Sequence, residues 1–360
     1  MFTMLRDVDT IDIQVLVDNE IDPISKSQSP AVVDATSFRL TELPRGSRGP
    51  AAMEMRMDNI CCGAHGLSLM ITAASGETKH TLLFDAGPEE DVFERNVKRS
   101  RTDLSGVEHV HLSHWHRDHS GGIPRAVRLI NAARKEENPL GQPTVDVHPD
   151  RPIYRGFNAG PFIASLEADP TFEEIESAGG NVVKNDQSHT VLDGMFMVSG
   201  EVPRKTEYEV GFPRGMRFTG KGEWVPDELI KDERFVVCKL REKGLVVFAG
   251  CSHPGIVNIC RHALELGGGA PLYAVIGGFH LADGDAAKLE SSINGLKALT
   301  PQILMPGHCT GWRFKFKIEQ EMAGSLVPCF SGTKYTLNAD GMQEGQNLLK
   351  DLKSFQSKDK

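Results

Sequence analysis

Residues 109–122, HVHLSHWHRDHSGG, put five histidines within eleven residues, with an aspartate directly before the last of them. Imidazole at that density suits neither an ordinary core nor an ordinary surface, so the fold must have a use for these rings at one place. The apolar positions of VEHVHLSH (107–114) read as a strand. SGGIPRAVRLINAARKEE (120–137) opens with a helix-start signal and continues at helical spacing. His114 and His116 are two apart, and in an extended chain they point to the same side. Asp118 and His119 follow in a turn that Gly121 and Gly122 let the backbone leave. Borderline-soft divalent ions such as zinc take imidazole nitrogen and carboxylate oxygen readily. One ion would use His114 and His116, and a second would use Asp118 and His119. His109 and His111 lie within the strand and read as packed or hydrogen-bonded residues.

A second pattern needs no motif. Five apolar runs end on a ligand-capable group: TLLFDAG, HVHLSH, LVVFAGCSH, AVIGGFH and ILMPGH. If their ends share one rim of a buried sheet system, Asp85, His114, Cys251, His253, His280 and His308 converge. Cys251 and His253 are two apart and project together from an extended segment, and Pro254 biases His253 toward that conformation. Other stretches read plainly. IDIQVLVD (11–18) is a strand, LSLMITA and KHTLLFDAG pair about ASGET, and RFVVCKL and GLVVFAG form a hairpin about REKG. Helices are expected at 256–269 and 285–299, with a short one in DPTFEEIESAGG. The expected organisation is one domain over 1–345 with loop-rich insertions near 20–55 and 150–230, followed by a polar tail, 346–360.

Composition narrows the function. Forty Lys+Arg against 49 Asp+Glu give a net charge of −9, so nucleic acid is not an expected partner. No run of eighteen apolar residues is present, so no membrane span is expected. The first twenty residues lack the zones of a signal peptide. Seven irregularly spaced cysteines argue for a reducing, cytoplasmic setting. The expected partner is a small-molecule substrate; the oligomeric state is left open.

The motif H-x-H-x-D-H, here His114, His116, Asp118 and His119, resembles that of the metallo-β-lactamase superfamily. The blocks LVDN (16–19), GAHGLSLMI (63–71), LLFDAG (82–87), LSHWHRDHSGGI (112–123), GCSHPGIVNI (250–259), IGGFHL (276–281) and PGHCTG (306–311) resemble its dihydropteroate-synthase-related branch. That branch includes the dihydropterin–ribofuranosyl-aminobenzene phosphate synthases. The resemblance implies an α/β fold, a four-layer αββα sandwich with metals at one edge. It implies one or two divalent ions, zinc first, with manganese or iron as alternatives. His308 matches the last metal histidine. Cys251 stands where the superfamily usually has a bridging aspartate. The superfamily's further histidine turn is missing, which leaves His253 as the replacement and His189 as a weaker one. Asp85 is expected to orient the histidine turn by accepting hydrogen bonds. Asp118 is the expected proton carrier, and His280 is expected to act at the substrate. His65 is expected to line the pocket. The implied activity is hydrolysis of a lactam, lactone or cyclic carbamate. The alternatives are a pterin-type C–N bond-forming synthase, with VPRK (202–205), Arg214 and Arg217 as the visible phosphate binders, or a non-catalytic metal-binding protein.

Overall fold

Period-two alternation splits each long strand between two cores. In Thr10–Val17, Ile11, Ile13 and Val15 enter one cluster while Leu16 enters another. In Gly244–Ala249, Val246 and Phe248 face that same first cluster, and Leu245, Val247 and Ala249 face a third. A strand apolar on both faces must be covered on both. The result, in a computed structural model describing residues 5–36, 40–134 and 140–339, is two sheets packed face to face with helices outside each. This is the four-layer αββα sandwich that the superfamily resemblance implies.

The first sheet runs in the order Asn181–Lys184, Thr144–Val147, Val107–His111, Thr78–Phe84, Ser68–Ser75, Thr10–Val17, Lys334–Asn338, Val33–Asp34. Helices Glu90–Ser100 and Ile123–Ala133 cover its outer face through Phe93, Val97, Ile123, Ala126, Val127 and Ile130. The second runs His189–Val191, Phe196–Val198, Val236–Leu240, Gly244–Ala249, Leu272–Gly278, Ile303–Gly307, with Asp7–Val8 paired to Val236–Leu240. Helices Ile256–Leu266, Ala286–Leu299 and Trp312–Glu321 cover it.

Each sheet contains a parallel run. Val107–His111 lies parallel to both Thr78–Phe84 and Thr144–Val147. Gly244–Ala249, Leu272–Gly278 and Ile303–Gly307 run parallel, with one register shift at Leu245/Val246, and bring Ala249 opposite Gly277 and Gly278 opposite Gly307. The carboxyl ends of parallel strands in α/β sheets are where ligand groups collect. Asp85, Gly250, Phe279 and His308 each follow directly on such a strand end.

Three expectations change. The strand expected over 107–114 stops at His111, and His114 and His116 sit in a turn closed by His116 N–H donating to the His114 carbonyl (3.0 Å). Their convergence is therefore a product of the turn and not of strand alternation. Gly121 and Gly122 have ordinary negative φ, so backbone freedom is not their reason; a Cβ on either would collide with the Pro88 or Ala86 carbonyl oxygen. The loop-rich stretches also carry regular structure. Within 150–230 a small antiparallel sheet orders Ile163–Ser165, Arg155–Asn158, Gly215–Phe218 and Trp224–Pro226, and three further strands join the main sheets. Within 20–55, Leu40–Glu42 pairs with Met53–Met55. The polar tail 346–360 lies outside the described residues.

Phe248 is fully buried between the sheets. Phe248→Ala is expected to lower unfolding free energy by about 3–5 kcal/mol. Denaturant unfolding followed by circular dichroism reads this directly, and a loss below about 1 kcal/mol would contradict the inter-sheet placement.

Candidate metal centre

The histidine turn is anchored by one carboxylate. Asp85, at the end of Thr78–Phe84, accepts the Ser113 N–H at Oδ1 (2.7 Å) and the Ser113 hydroxyl at Oδ2 (2.8 Å). It also accepts His119 Nδ1 at Oδ2 (2.6 Å). With its hydroxyl proton given to Asp85, Ser113 Oγ accepts from His114 Nδ1 (3.0 Å). Asn19 Oδ1 accepts His308 Nδ1 in the same way (3.0 Å). These partners fix the tautomers: the outer nitrogen of each ring carries the proton and the inner nitrogen presents a lone pair. Asp85 thus has the orienting role expected of it.

The inner donors form two groups. His114 Nε2 lies 2.9 Å from His116 Nδ1, which lies 3.2 Å from His253 Nε2. His308 Nε2 lies 3.2 Å from His119 Nε2, 3.2 Å from Cys251 Sγ and 3.2 Å from an Asp118 carboxylate oxygen. Cys251 Sγ is 3.2 Å from His119 Nε2 and also within ligand reach of His114 and His253, so it stands between the groups. Two lone pairs held about 3 Å apart repel unless a proton or a cation lies between them. Imidazole nitrogen, carboxylate oxygen and thiolate sulfur are the donors divalent transition ions of the zinc class take. The residues therefore fit two ions, one at His114, His116 and His253, the other at Asp118, His119 and His308, with Cys251 reaching both.

Electrostatics agree for the first group of donors. Burial holds His114 and His253 well below the ordinary histidine range and lowers His116 to about 3, which keeps the rings neutral and able to coordinate. His119 differs: burial opposes its charge too, but Asp118 and Asp85 outweigh it and raise this group to about 9, so without a cation this ring keeps its inner proton and a bound ion must displace it. Burial also pushes the Cys251 thiol up, so its thiolate needs a cation beside it. Against burial, His119 and His308 hold Asp118 well below the usual carboxylate range, so it is ionised.

Residues outside the motifs position these donors. Asp232 accepts the Trp115 N–H (2.8 Å) and pairs with Arg155, whose Nη1 donates to the Trp115 carbonyl (2.8 Å). Glu233 accepts the N–H groups of Ser252 (2.5 Å) and His253 (2.7 Å), and burial raises its carboxyl to about 7. Glu209 accepts from Val257 and Asn258 and so caps the helix whose N-cap, Gly255, has no side chain. Asp18 accepts the His308 N–H (2.7 Å). Only Asp18 and Asn19 had a sequence signal, as part of LVDN; Arg155, Asp232 and Glu233 come from stretches with no local pattern pointing to the site.

The centre opens on a cavity of about 810 Å³. Phe157, Leu166 and Phe212 give it apolar walls, and Glu89, Glu90, Asp91, Arg117 and Glu167 line it as well. His65 stands at the mouth, its Nε2 3.5 Å from Asp118. His280 lines the cavity with its ring 4.3 Å from that of His253 and its Nδ1 buried without a hydrogen-bond partner. His189 is not brought here; its Nε2 lies against Asp146 (2.7 Å).

No family model matches the chain. Over 278 residues it is 31% identical to a 7,8-dihydropterin-6-methyl-4-(beta-D-ribofuranosyl)-aminobenzene-5'-phosphate synthase of Methanocaldococcus jannaschii, covering 73% of this chain and 89% of that protein. Over 155 residues it is 30% identical to an atrochrysone carboxyl ACP thioesterase of Aspergillus terreus, covering 38% of this chain and 46% of that protein. A solved metal-dependent hydrolase of the beta-lactamase superfamily superposes with a TM-score of 0.63 at 22% identity, over 90% of this chain and 98% of the other.

His253→Ala is expected to bind one divalent ion fewer than the unaltered protein, because His114 and His116, with only the shared Cys251 beside them, leave that position under-coordinated. Metal analysis after dialysis reads the difference. Unchanged metal content with lowered stability would make His253 a helix-entry residue only.

Proposed function

The chain belongs to the metallo-β-lactamase superfamily, in the branch of the dihydropterin–ribofuranosyl-aminobenzene phosphate synthase, and from that premise we propose that it is a metal-dependent hydrolase of a small cyclic amide or ester. The substrate is a lactam, a lactone or a cyclic carbamate. The observation that carries the reading is the double donor set facing an open, apolar-walled cavity.

Divalent ions held there would polarise a carbonyl and lower the pKa of water from about 15.7 toward about 7. His114, His116 and His253 would hold one ion; Asp118, His119 and His308 would hold the other, with Cys251 between them. The chain's own part is orientation and proton movement. Asp118 faces the cavity, ionised, and is positioned to take a proton from water and return it to the departing nitrogen or oxygen. His280, with an unpartnered Nδ1 at the cavity wall, supplies a donor to the same leaving group or to the developing oxyanion. Phe157, Leu166 and Phe212 exclude water and pack the ring of a small cyclic substrate.

Apart from the ions themselves, the side chains of the lining do not favour an anionic substrate. Five carboxylates, Glu89, Glu90, Asp91, Asp118 and Glu167, face one arginine, Arg117, among the described cavity residues. Three of the four basic residues that would serve a phosphate-bearing substrate are engaged elsewhere. Arg204 donates to the Leu229 carbonyl, Lys205 pairs with Glu265 and Arg217 pairs with Asp150. The synthase reading keeps its support from the identity to the Methanocaldococcus protein. Zinc-loaded protein offered a panel of chromogenic lactams, lactones and cyclic carbamates, and separately a dihydropterin diphosphate with an aminobenzene ribofuranosyl phosphate, separates the two. Ring opening supports the hydrolase; diphosphate release without ring opening replaces it with the synthase.

On the best substrate, Asp118→Asn is expected to lower kcat by about 10²–10⁴-fold, more than metal content falls, because an amide cannot accept the proton. Unchanged kcat would leave Asp118 a structural role only.

A further inference from the structure

A second cluster of imidazoles lies apart from the cavity. His109 and His111 project from the inner face of Val107–His111, where the ring of His111 meets Phe84 of the inter-sheet core. They are 5% and 0% exposed, and His109 Nε2 and both ring nitrogens of His111 have no hydrogen-bond partner. Asp146 stands opposite His111 on the neighbouring strand and is 1% exposed. Its two oxygens have different neighbours. Oδ1 accepts Arg234 Nη1 (2.8 Å). Oδ2 accepts His189 Nε2 (2.7 Å) and lies 3.6 Å from His109 Nε2 and 4.0 Å from His111 Nδ1.

That is the arrangement of a ligand set. Bonds of about 2.0–2.2 Å to a tetrahedral ion put donors roughly 3.3–3.6 Å apart, so both histidine–carboxylate spacings are within a few tenths of an ångström of that range, and the three ligand atoms all lie within 4.8 Å of one another. A ligating carboxylate is ordinarily steadied by hydrogen bonds from outside, as Arg234 and His189 steady Asp146 here. A cavity of about 510 Å³, lined by His109, Asp146, His189, Asn185 and Glu108, gives an entry path and room for a water at the fourth position. Arg234 opposes a cation, but it is bound to the other carboxylate oxygen and also donates to the Leu112 and Asn185 carbonyls, while Glu108 adds negative charge to the cavity wall.

We propose that His109, His111 and Asp146 hold a further divalent ion of the zinc class, separate from the candidate metal centre. Its role is structural. The ion fastens Val107–His111 to Thr144–Val147 three residues before His114, while Arg234, just ahead of Val236–Leu240, ties Asp146 to the second sheet.

Zinc per chain, measured by plasma mass spectrometry after loading and desalting, tests this. His109→Ala is expected to carry one equivalent fewer than the unaltered protein. A chain bearing His114→Ala with His308→Ala leaves the cluster untouched and is expected to keep one equivalent, which adding His109→Ala removes. That arm guards against a folding failure of His109→Ala alone, and zinc that stays when His109→Ala is added is zinc left on Asp118, His119 and Cys251 and overturns the proposal as well. Equal zinc in His109→Ala and the unaltered protein, or no zinc in the His114→Ala, His308→Ala chain, overturns the proposal.

Discussion

Asp85 makes three contacts that decide which way the imidazoles of the site face. Its carboxylate takes the Ser113 backbone, the Ser113 hydroxyl and His119 Nδ1 at 2.6–2.8 Å, and through that hydroxyl it fixes the ring of His114. Protons are drawn outward and lone pairs are left inward. Without that anchor a buried imidazole could turn its N–H into the cluster and satisfy itself against a neighbouring ring, which would close the site to a cation. Asn19 does for His308 what Asp85 does for His119. The site is thus organised before any ligand arrives, which is the condition for tight and specific coordination.

The fold pays for this order in backbone strain at the rim. Asp85, Ser252, His280 and His308 all have left-handed φ, between 47° and 66°, although none is glycine. All four follow strands of the two parallel runs, where the chain must turn sharply to present a side chain. Such conformations persist only where surrounding contacts over-determine them. The contacts are present at three of the four: Ser252 N–H on Glu233, His308 N–H on Asp18, Asp85 N–H on the His111 carbonyl. Buried ion pairs brace the turn from behind, with Arg155 on Asp232 and Arg234 on Asp146, both nearly inaccessible to water.

Most of the scaffold was legible because apolar alternation and strand ends are local signals. The runs TLLFDAG, LVVFAGCSH, AVIGGFH and ILMPGH mark the rim and H-x-H-x-D-H marks the donors, so the convergence of His114, Cys251, His253, His280 and His308 was readable from the residues, while the four-layer sandwich followed from the resemblance those motifs carry. What was not readable depends on contacts between distant segments. Nothing in KDER announces that Asp232 will hold Trp115 or that Glu233 will hold His253. The strands within 150–230 are three or four residues long, too short for a period to emerge, and they form against partners the sequence does not name. The orphaned nitrogens of His109 and His111 look, in sequence, like any strand histidine.

Cys251 is where this chain departs most from the pattern of its superfamily, and its sulfur stands between the two donor groups. X-ray absorption at the zinc edge of the loaded protein measures that sulfur directly. The account predicts a sulfur shell at about 2.3 Å beside nitrogen and oxygen at about 2.0–2.2 Å, with the sulfur shell lost in Cys251→Ser. A spectrum of the unaltered protein fitted by nitrogen and oxygen alone would contradict it, leaving Cys251 a buried thiol beneath a centre built from histidine and aspartate.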